Sequence, residues 1–119
     1  MQHSFLYQNA TISYRISGKG KPVILLHGFG EDSHIWDLQV DYLKEHCMLV
    51  VPDLPGSGLS ELMHHTSGIL IDDYANCIHA LLQHEKITQC IMLGHSMGGY
   101  ITLAFAEKHP AMLHSFGLV

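Results

Sequence analysis

An apolar stretch that runs into a glycine-flanked serine constrains this chain more than any other feature of its sequence. Residues 90–93 read Cys-Ile-Met-Leu, residues 94–98 read Gly-His-Ser-Met-Gly, and residues 101–108 have the composition of a helix. A short apolar run that ends in glycine is typical of a buried strand. The sequence therefore predicts a strand, a sharp turn centred on Ser96, and a helix.

This turn, residues 94–98, is called the elbow below, and it makes Ser96 the candidate nucleophile. A serine on so tight a turn has a strained backbone, which requires small residues two positions before and after it, and Gly94 and Gly98 meet that requirement. The following helix points its N-terminal N–H groups at the same place, so the Met97 amide is a candidate oxyanion donor. His95 is assigned to the elbow without a basic role. The alternative is that the glycines serve only close packing.

A second glycine-rich turn follows another apolar run. Residues 23–26 read Val-Ile-Leu-Leu, as expected of a central parallel strand covered on both faces, and the turn after them consists of His27, Gly28, Phe29 and Gly30. Glycines directly after a buried strand let backbone N–H groups turn outward into a cleft. We therefore predict that the Phe29 amide is the second oxyanion donor and that the other three residues belong to the elbow or cleft. A plain strand-to-helix turn, with glycine supplying positive φ, is the alternative.

Asp53 follows a third apolar run, residues 47–51, in a loop that contains two prolines and two glycines. A carboxylate at the carboxyl end of a strand could orient a catalytic histidine. The favoured interpretation is that it accepts hydrogen bonds from nearby loop backbone. We therefore leave Asp53 out of the candidate catalytic residues.

The order of the remaining elements predicts the fold class. Residues 5–8 and 11–16 alternate as a hairpin around Asn9–Ala10, residues 69–84 have helical spacing, and residues 115–119 begin a further strand. A helix after Ser33 carries the apolar positions Ile35, Trp36, Leu38, Val40 and Leu43. The prediction is an α/β fold: a doubly wound, mostly parallel sheet of six strands with an N-terminal antiparallel hairpin.

Charge and composition exclude several classes of partner. With six basic and eleven acidic residues and no basic cluster, the chain is not expected to bind nucleic acid or an anionic membrane. It has no leader pattern and no apolar run of membrane-spanning length, so a soluble, cytoplasmic protein is expected. The odd number of scattered cysteines predicts buried free thiols, and the eleven histidines show no ligand spacing, so no metal and no cofactor is expected.

Taken together, the blocks at residues 27–30, 53–58 and 94–99 resemble those of the α/β-hydrolase superfamily, in the same order and each after a strand. The chain is similar to carboxylesterases, acyl hydrolases and proline iminopeptidases, which all share these blocks. It implies Ser96 as nucleophile, the Phe29 and Met97 amides as oxyanion donors, and an eight-stranded sheet of which this chain supplies the first six strands. Family members that are dehalogenases or epoxide hydrolases carry aspartate at the position of Ser96, so they are set aside.

In that superfamily the triad acid and histidine follow the nucleophile, and neither has a counterpart before Val119. Residues 1–119 are therefore expected to be the N-terminal portion of one domain, inactive in isolation, within a serine hydrolase of a small-molecule acyl substrate. His64 or His65 as a local base is a minor alternative. A catalytically silent binding or assembly module is the other function class. The last strand should be an apolar edge near Phe116–Val119 that a second copy or a complementing chain covers.

Overall fold

Six β-strands form one mixed sheet in the computed structural model, which describes residues 1–63 and 69–119. The strands are β1 (Gln2–Tyr7), β2 (Ala10–Ser17), β3 (Pro22–Leu26), β4 (Met48–Pro52), β5 (Cys90–Gly94) and β6 (Leu113–Leu118). Their spatial order is β1-β2-β4-β3-β5-β6, and β1, β2 and β4 pair antiparallel while the β4–β3, β3–β5 and β5–β6 pairs are parallel. The predicted fold class is confirmed.

The N-terminal hairpin turns one residue earlier than the sequence predicted. Gln8 and Asn9 both have positive φ, at 48° and 66°, as a two-residue turn matched to the twist of the strands requires. Ala10 belongs to β2 and is buried. Asn9 tolerates the left-handed region better than most residues, so the turn forms around it.

Helices cover both faces of the sheet. They are α1 (Asp37–Leu43), α2 (Ile71–His84) and α3 (Met97–Lys108), with single 3₁₀ turns at Ser33–Trp36 and Pro110–Met112. Val23 and Leu25 of β3 pack with Trp36 and Val40 on the α1 side. Ile24 and Leu26 point to the other face, into the cluster that contains α2 and α3. The continuous apolar run of β3 is thus buried on both faces, as predicted.

The first helical segment differs from the prediction. Asp32 accepts the His34 N–H and starts a 3₁₀ turn, after which α1 begins at Asp37. Trp36 and Val40 are four residues apart and buried on one face, whereas Leu38 lies on the opposite face and is 81% exposed.

The two later helices also have boundaries that differ from the sequence pattern. Helix α2 begins at Ile71, where the Asp73 carboxylate accepts the Leu70 N–H, and α3 begins directly after Ser96 with Gly98 and Gly99 inside its first turn. Residues 64–68 lie outside the described part of the chain, and Met63 directly before them is buried in the core.

Strand β3 is the point where the chain changes direction across the sheet. From β3 the chain passes through α1 to β4 on one side of β3. From β4 it returns through α2 to β5 on the other side of β3. Ligand crevices of open α/β sheets lie at the carboxyl ends of strands at such a switch point. The turns after β3 and β5 meet at that position.

Within the described ranges, no helix is both long enough and apolar enough to cross a bilayer. All three cysteines are free: Cys77 and Cys90 are buried and Cys47 is partly buried. The prediction of free thiols is confirmed, and burial raises the pKa of Cys77 to about 12 and that of Cys90 to about 11.

Candidate active site

Ser96 occupies a strained backbone conformation between β5 and α3. Its φ of 56° and ψ of −119° are rare for a residue with a side chain, and such strain persists only where surrounding contacts enforce it. A Cβ atom on Gly94 would lie 2.1 Å from the Gly98 carbonyl oxygen, and one on Gly98 would lie 2.4 Å from the Leu26 oxygen. The elbow can therefore close against itself and against β3 only because both positions are glycine.

Backbone hydrogen bonds from two other strands hold the elbow. The His95 N–H donates to the Leu26 oxygen at 3.0 Å, at the end of β3. The Ser96 N–H donates to the Val119 oxygen at 3.4 Å, and the Val119 N–H donates to the Gly94 oxygen at 2.9 Å. The conformation of Ser96 thus depends on the neighbours of β5 on both sides.

The structure brings the turn after β3 against the elbow. A Cβ atom on Gly28 would lie 2.9 Å from the Ser96 Cβ, so the Gly28 backbone contacts the side chain of the candidate nucleophile. Phe29 is 86% exposed, and Gly30 has a φ of 77° with open space around it. Neither the Phe29 amide nor the Met97 amide has a hydrogen-bond acceptor among the described residues. An oxyanion hole needs amides in that state.

His27 lies beneath this site rather than in its lining, because the imidazole has no exposed surface. Its Nε2 accepts the Leu54 N–H at 2.9 Å, so the ring proton lies on Nδ1, which donates to the Gly28 oxygen at 2.8 Å. The neutral ring therefore connects the loop after β4 to the turn after β3. It supports the cleft from below, and the assignment of His27 to the cleft lining is corrected accordingly.

Asp53 has the backbone role that was favoured for it. Its Oδ1 accepts the Ser33 N–H at 2.9 Å and its Oδ2 accepts the Leu59 N–H at 3.1 Å. The Ser60 hydroxyl donates to the Asp53 carbonyl oxygen. The carboxylate is buried and both of its oxygens are engaged, so this interpretation of Asp53 is confirmed.

Glu31 is the residue near the elbow that the sequence did not single out. Its Oε1 accepts the Gly28 N–H at 2.7 Å and lies 3.0 Å from His95 Nδ1. These two hydrogen bonds, from Gly28 first and His95 second, lower the pKa of the Glu31 carboxyl. An acidic residue three positions after a turn glycine can reach back to its N–H, which is the local signal that could have identified Glu31.

Two small cavities flank the elbow. One of about 220 Å³ is mostly apolar and contains the Ser96 side chain; its lining comprises Gly94, Ser96, Gly99, Tyr100, Leu103, Leu118 and Val119. The other, of about 180 Å³, lies on the Glu31 side; its lining comprises Glu31, Ile35, Trp36, Gln39, His95 and Val119. A wider open groove of about 620 Å³ lies between the β3 turn and residues 56–58, farther from Ser96.

The alternative bases and possible metal ligands were also sought in the structure. His64 and His65, the local alternatives for a base, lie outside the described residues. In residues 1–63 and 69–119, no three histidine, cysteine or carboxylate side chains are grouped as metal ligands.

Comparisons with known proteins agree with this geometry. A family model described as the alpha/beta hydrolase fold matches residues 21–118. The chain is 30% identical over 110 residues to (E)-2-((N-methylformamido)methylene)succinate hydrolase of Acinetobacter baylyi, covering 91% of this chain and 40% of that protein. It is 34% identical over 98 residues to the pimeloyl-[acyl-carrier protein] methyl ester esterase of Vibrio vulnificus, covering 82% and 36%.

A solved structure shows the same arrangement of elements. The thermophilic esterase of Thermogutta terrifontis superimposes with a TM-score of 0.87 at 31% identity, covering 92% of this chain and 40% of the esterase. This chain thus spans about two fifths of the length of the relatives it matches. From the sheet order, the strained serine turn and the family match over residues 21–118, we conclude that the chain belongs to the α/β-hydrolase fold family.

Proposed function

We propose that this chain carries the nucleophile and the oxyanion hole of a serine hydrolase that cleaves an ester or related acyl substrate through an acyl-enzyme. One observation carries the proposal: Ser96 occupies a strained elbow whose side chain lies directly against Gly28, the residue before the Phe29 amide. That contact supports the proposal, because it sets Ser96 beside the residue that precedes the Phe29 amide, at the switch point of the sheet.

In the proposed reaction the Ser96 oxygen attacks the acyl carbonyl carbon, and a base takes the hydroxyl proton. The Phe29 and Met97 amides donate to the carbonyl oxygen as it becomes an oxyanion. Collapse of this intermediate breaks the bond to the leaving group, which receives the proton, and water then hydrolyses the acyl-enzyme. We assign the base and its orienting acid to residues beyond Val119, with residues 1–119 as the N-terminal portion of a single hydrolase domain.

An acyl compound with an apolar acyl part is the substrate class we propose. The depression beside Ser96 is mostly apolar, with Tyr100, Leu103 and Leu118 in its lining. Apolar pockets with few polar groups suit the acyl part of an ester. One relative is named as a methyl ester esterase and another as a hydrolase of a formamido succinate. Ester, thioester, amide and carbon–carbon cleavage are all included in the proposal, because we assign the choice of acyl and leaving group largely to residues beyond Val119.

Covalent labelling with a fluorophosphonate probe tests the proposal, because rapid attachment requires an activated hydroxyl. The full-length protein should react within minutes at Ser96, and the Ser96→Ala variant should not react. Residues 1–119 alone should also remain unlabelled, since they lack the base. Failure of the folded full-length protein to react would favour the silent module, and rapid labelling of residues 1–119 alone would place the base within them.

We also propose that the open edge of β6 pairs with a further strand, from the rest of the domain or from a second chain. Within the described residues β6 pairs only with β5, and Phe116 and Leu118 are 45% and 56% exposed. An apolar edge with unpaired backbone groups tends to recruit a partner. Sedimentation velocity of residues 1–119 should reveal association, and a stable, monodisperse monomer would contradict this proposal.

A further inference from the structure

A single carboxylate oxygen connects the two turns that form the candidate site. Glu31 Oε1 accepts the Gly28 N–H, in the turn after β3, and contacts His95 Nδ1, in the elbow 64 residues away in sequence. Gly28 immediately precedes the donor residue Phe29, and His95 immediately precedes Ser96. Glu31 therefore contacts the residue next to the proposed oxyanion donor and the residue next to the nucleophile.

The contacts of Gly28 restrict the direction in which the Phe29 amide points. The Phe29 nitrogen belongs to the same planar peptide unit as the Gly28 carbonyl, so the two move together. His27 Nδ1 holds that carbonyl oxygen at 2.8 Å, and Glu31 holds the Gly28 N–H at 2.7 Å. Glu31 thus holds the peptide unit that precedes Gly28, and His27 holds the unit that carries the Phe29 amide. With both units held, rotation of the backbone at Gly28 is restricted.

The His95 contact fixes the same carboxylate relative to the elbow. The side chains of Glu31 and His95 are 30% and 40% exposed, so this contact lies at the mouth of the site, not in the core. Exposed pairs of this kind add little to stability, because the surrounding water screens them. The His95 contact is therefore expected to act mainly on the position of the connected groups and to add little to the free energy of unfolding beyond the Gly28 hydrogen bond.

We propose that Glu31 is a positioning residue that holds the Phe29 amide in its catalytic orientation relative to Ser96. The inference deepens the proposed function and rests on it. Glu31 itself touches neither the acyl group nor the leaving group in this scheme. It acts through the Gly28 peptide and through His95.

Steady-state kinetics of the full-length protein on p-nitrophenyl butyrate provide the first test. Glu31→Ala should lower kcat by roughly 10- to 100-fold and leave KM nearly unchanged, because a displaced oxyanion donor acts mainly on the transition state. Glu31→Gln should recover most of kcat, since its carboxamide oxygen can accept the same hydrogen bonds. Asp32→Ala is the matched control, because the adjacent carboxylate accepts the His34 N–H and, among the described residues, bonds neither Gly28 nor His95.

Amide spectra of the same ¹⁵N-labelled proteins give a readout that does not depend on activity. The Gly28 and Phe29 resonances should move in Glu31→Ala and stay near their wild-type positions in Glu31→Gln and Asp32→Ala. If the resonances move in this way while the wild-type protein hydrolyses no ester, the positioning contact stands and the proposed function fails. If Glu31→Ala leaves kcat and both resonances unchanged, the inference about Glu31 is wrong.

Discussion

The Cα of Gly98 lies against the carbonyl oxygen of Leu26, so closely that a Cβ atom on Gly98 would meet this oxygen at 2.4 Å. The Leu26 oxygen also accepts the His95 N–H, so the same atom contacts both ends of the elbow. The helix that follows Ser96 is thereby seated directly on β3. Because the atoms around Gly98 belong to the backbone, no flexible side chain could move aside for an added methyl group.

Gly98→Ala should therefore destabilise the fold by about 3 kcal/mol, since the added methyl group would displace β3 or α3. Gly99→Ala is the matched control in the same helical turn, where the nearest atom is the Leu118 Cδ2 at 3.4 Å. It should be neutral or stabilise the protein by up to about 1 kcal/mol, because alanine favours helix over glycine. Urea denaturation of both variants measures the difference, and equal effects would contradict the prediction.

Removing the buried His27 ring should also destabilise the protein. His27→Ala leaves the Leu54 N–H and the Gly28 oxygen without their partner and opens a cavity, which should cost about 3 kcal/mol in all. His46→Ala, at an exposed position after α1, should change stability by less than about 0.5 kcal/mol. Urea denaturation gives both values. Faster exchange of the Leu54 amide in His27→Ala alone would locate the lost contact, and unchanged exchange would argue against it.

Acid should weaken the fold in part through Glu31. Hydrogen bonds from Gly28 and then from His95 lower the pKa of this carboxyl below its ordinary 4.5. The contribution to stability is complete above that ordinary value and is lost as the pH falls through the lowered pKa of the folded state. The drop in urea midpoint between pH 7 and pH 3 should therefore be smaller in Glu31→Gln than in the wild type. Asp41→Asn, an exposed substitution on α1, should show the wild-type drop.

The three thiols should differ in their reaction with Ellman's reagent. Burial raises the pKa of Cys77 to about 12 and that of Cys90 to about 11, so neither forms much thiolate at pH 8 and neither is accessible. Cys47 is partly exposed. Of these three thiols, Cys47 should react quickly in the native protein and release about one equivalent of thionitrobenzoate, and Cys77 and Cys90 should react only in denaturant. Cys47→Ser should abolish the fast phase, and a fast phase that persists would contradict the assignment.

Most elements of the fold could be predicted from short-range sequence patterns. The apolar run of β3, the alternation of the hairpin and the helical spacing of α2 each reflect burial on one or two faces, which sequence periodicity records directly. The elbow was equally predictable, because Gly94 and Gly98 flank Ser96 at the required spacing, although the contact that requires Gly98 comes from Leu26 of β3. Local patterns were sufficient for these elements.

Features that depend on distant contacts were not predictable in the same way. The sequence gives no sign that His27 would bond the Leu54 amide or that Glu31 would meet His95, because each contact needs the sheet to be assembled first. The 3₁₀ turn at Ser33–Trp36 shows the same limit, because its first N–H is bound by Asp53 from a later loop. The apolar spacing after Ser33 predicted one regular helix in place of the 3₁₀ turn and α1.

The hydrogen bonds around Ser96 make its geometry conditional on the whole sheet. The five residues of the elbow cannot maintain a φ of 56° at serine by themselves, because the backbone strain is opposed by bonds from Leu26 and Val119. A chain that has not yet paired β3 and β6 with β5 therefore has only an ordinary, unreactive serine in a relaxed turn. Nascent, misfolded or partly degraded copies would be chemically silent, so reactivity at this position would itself report that folding is complete.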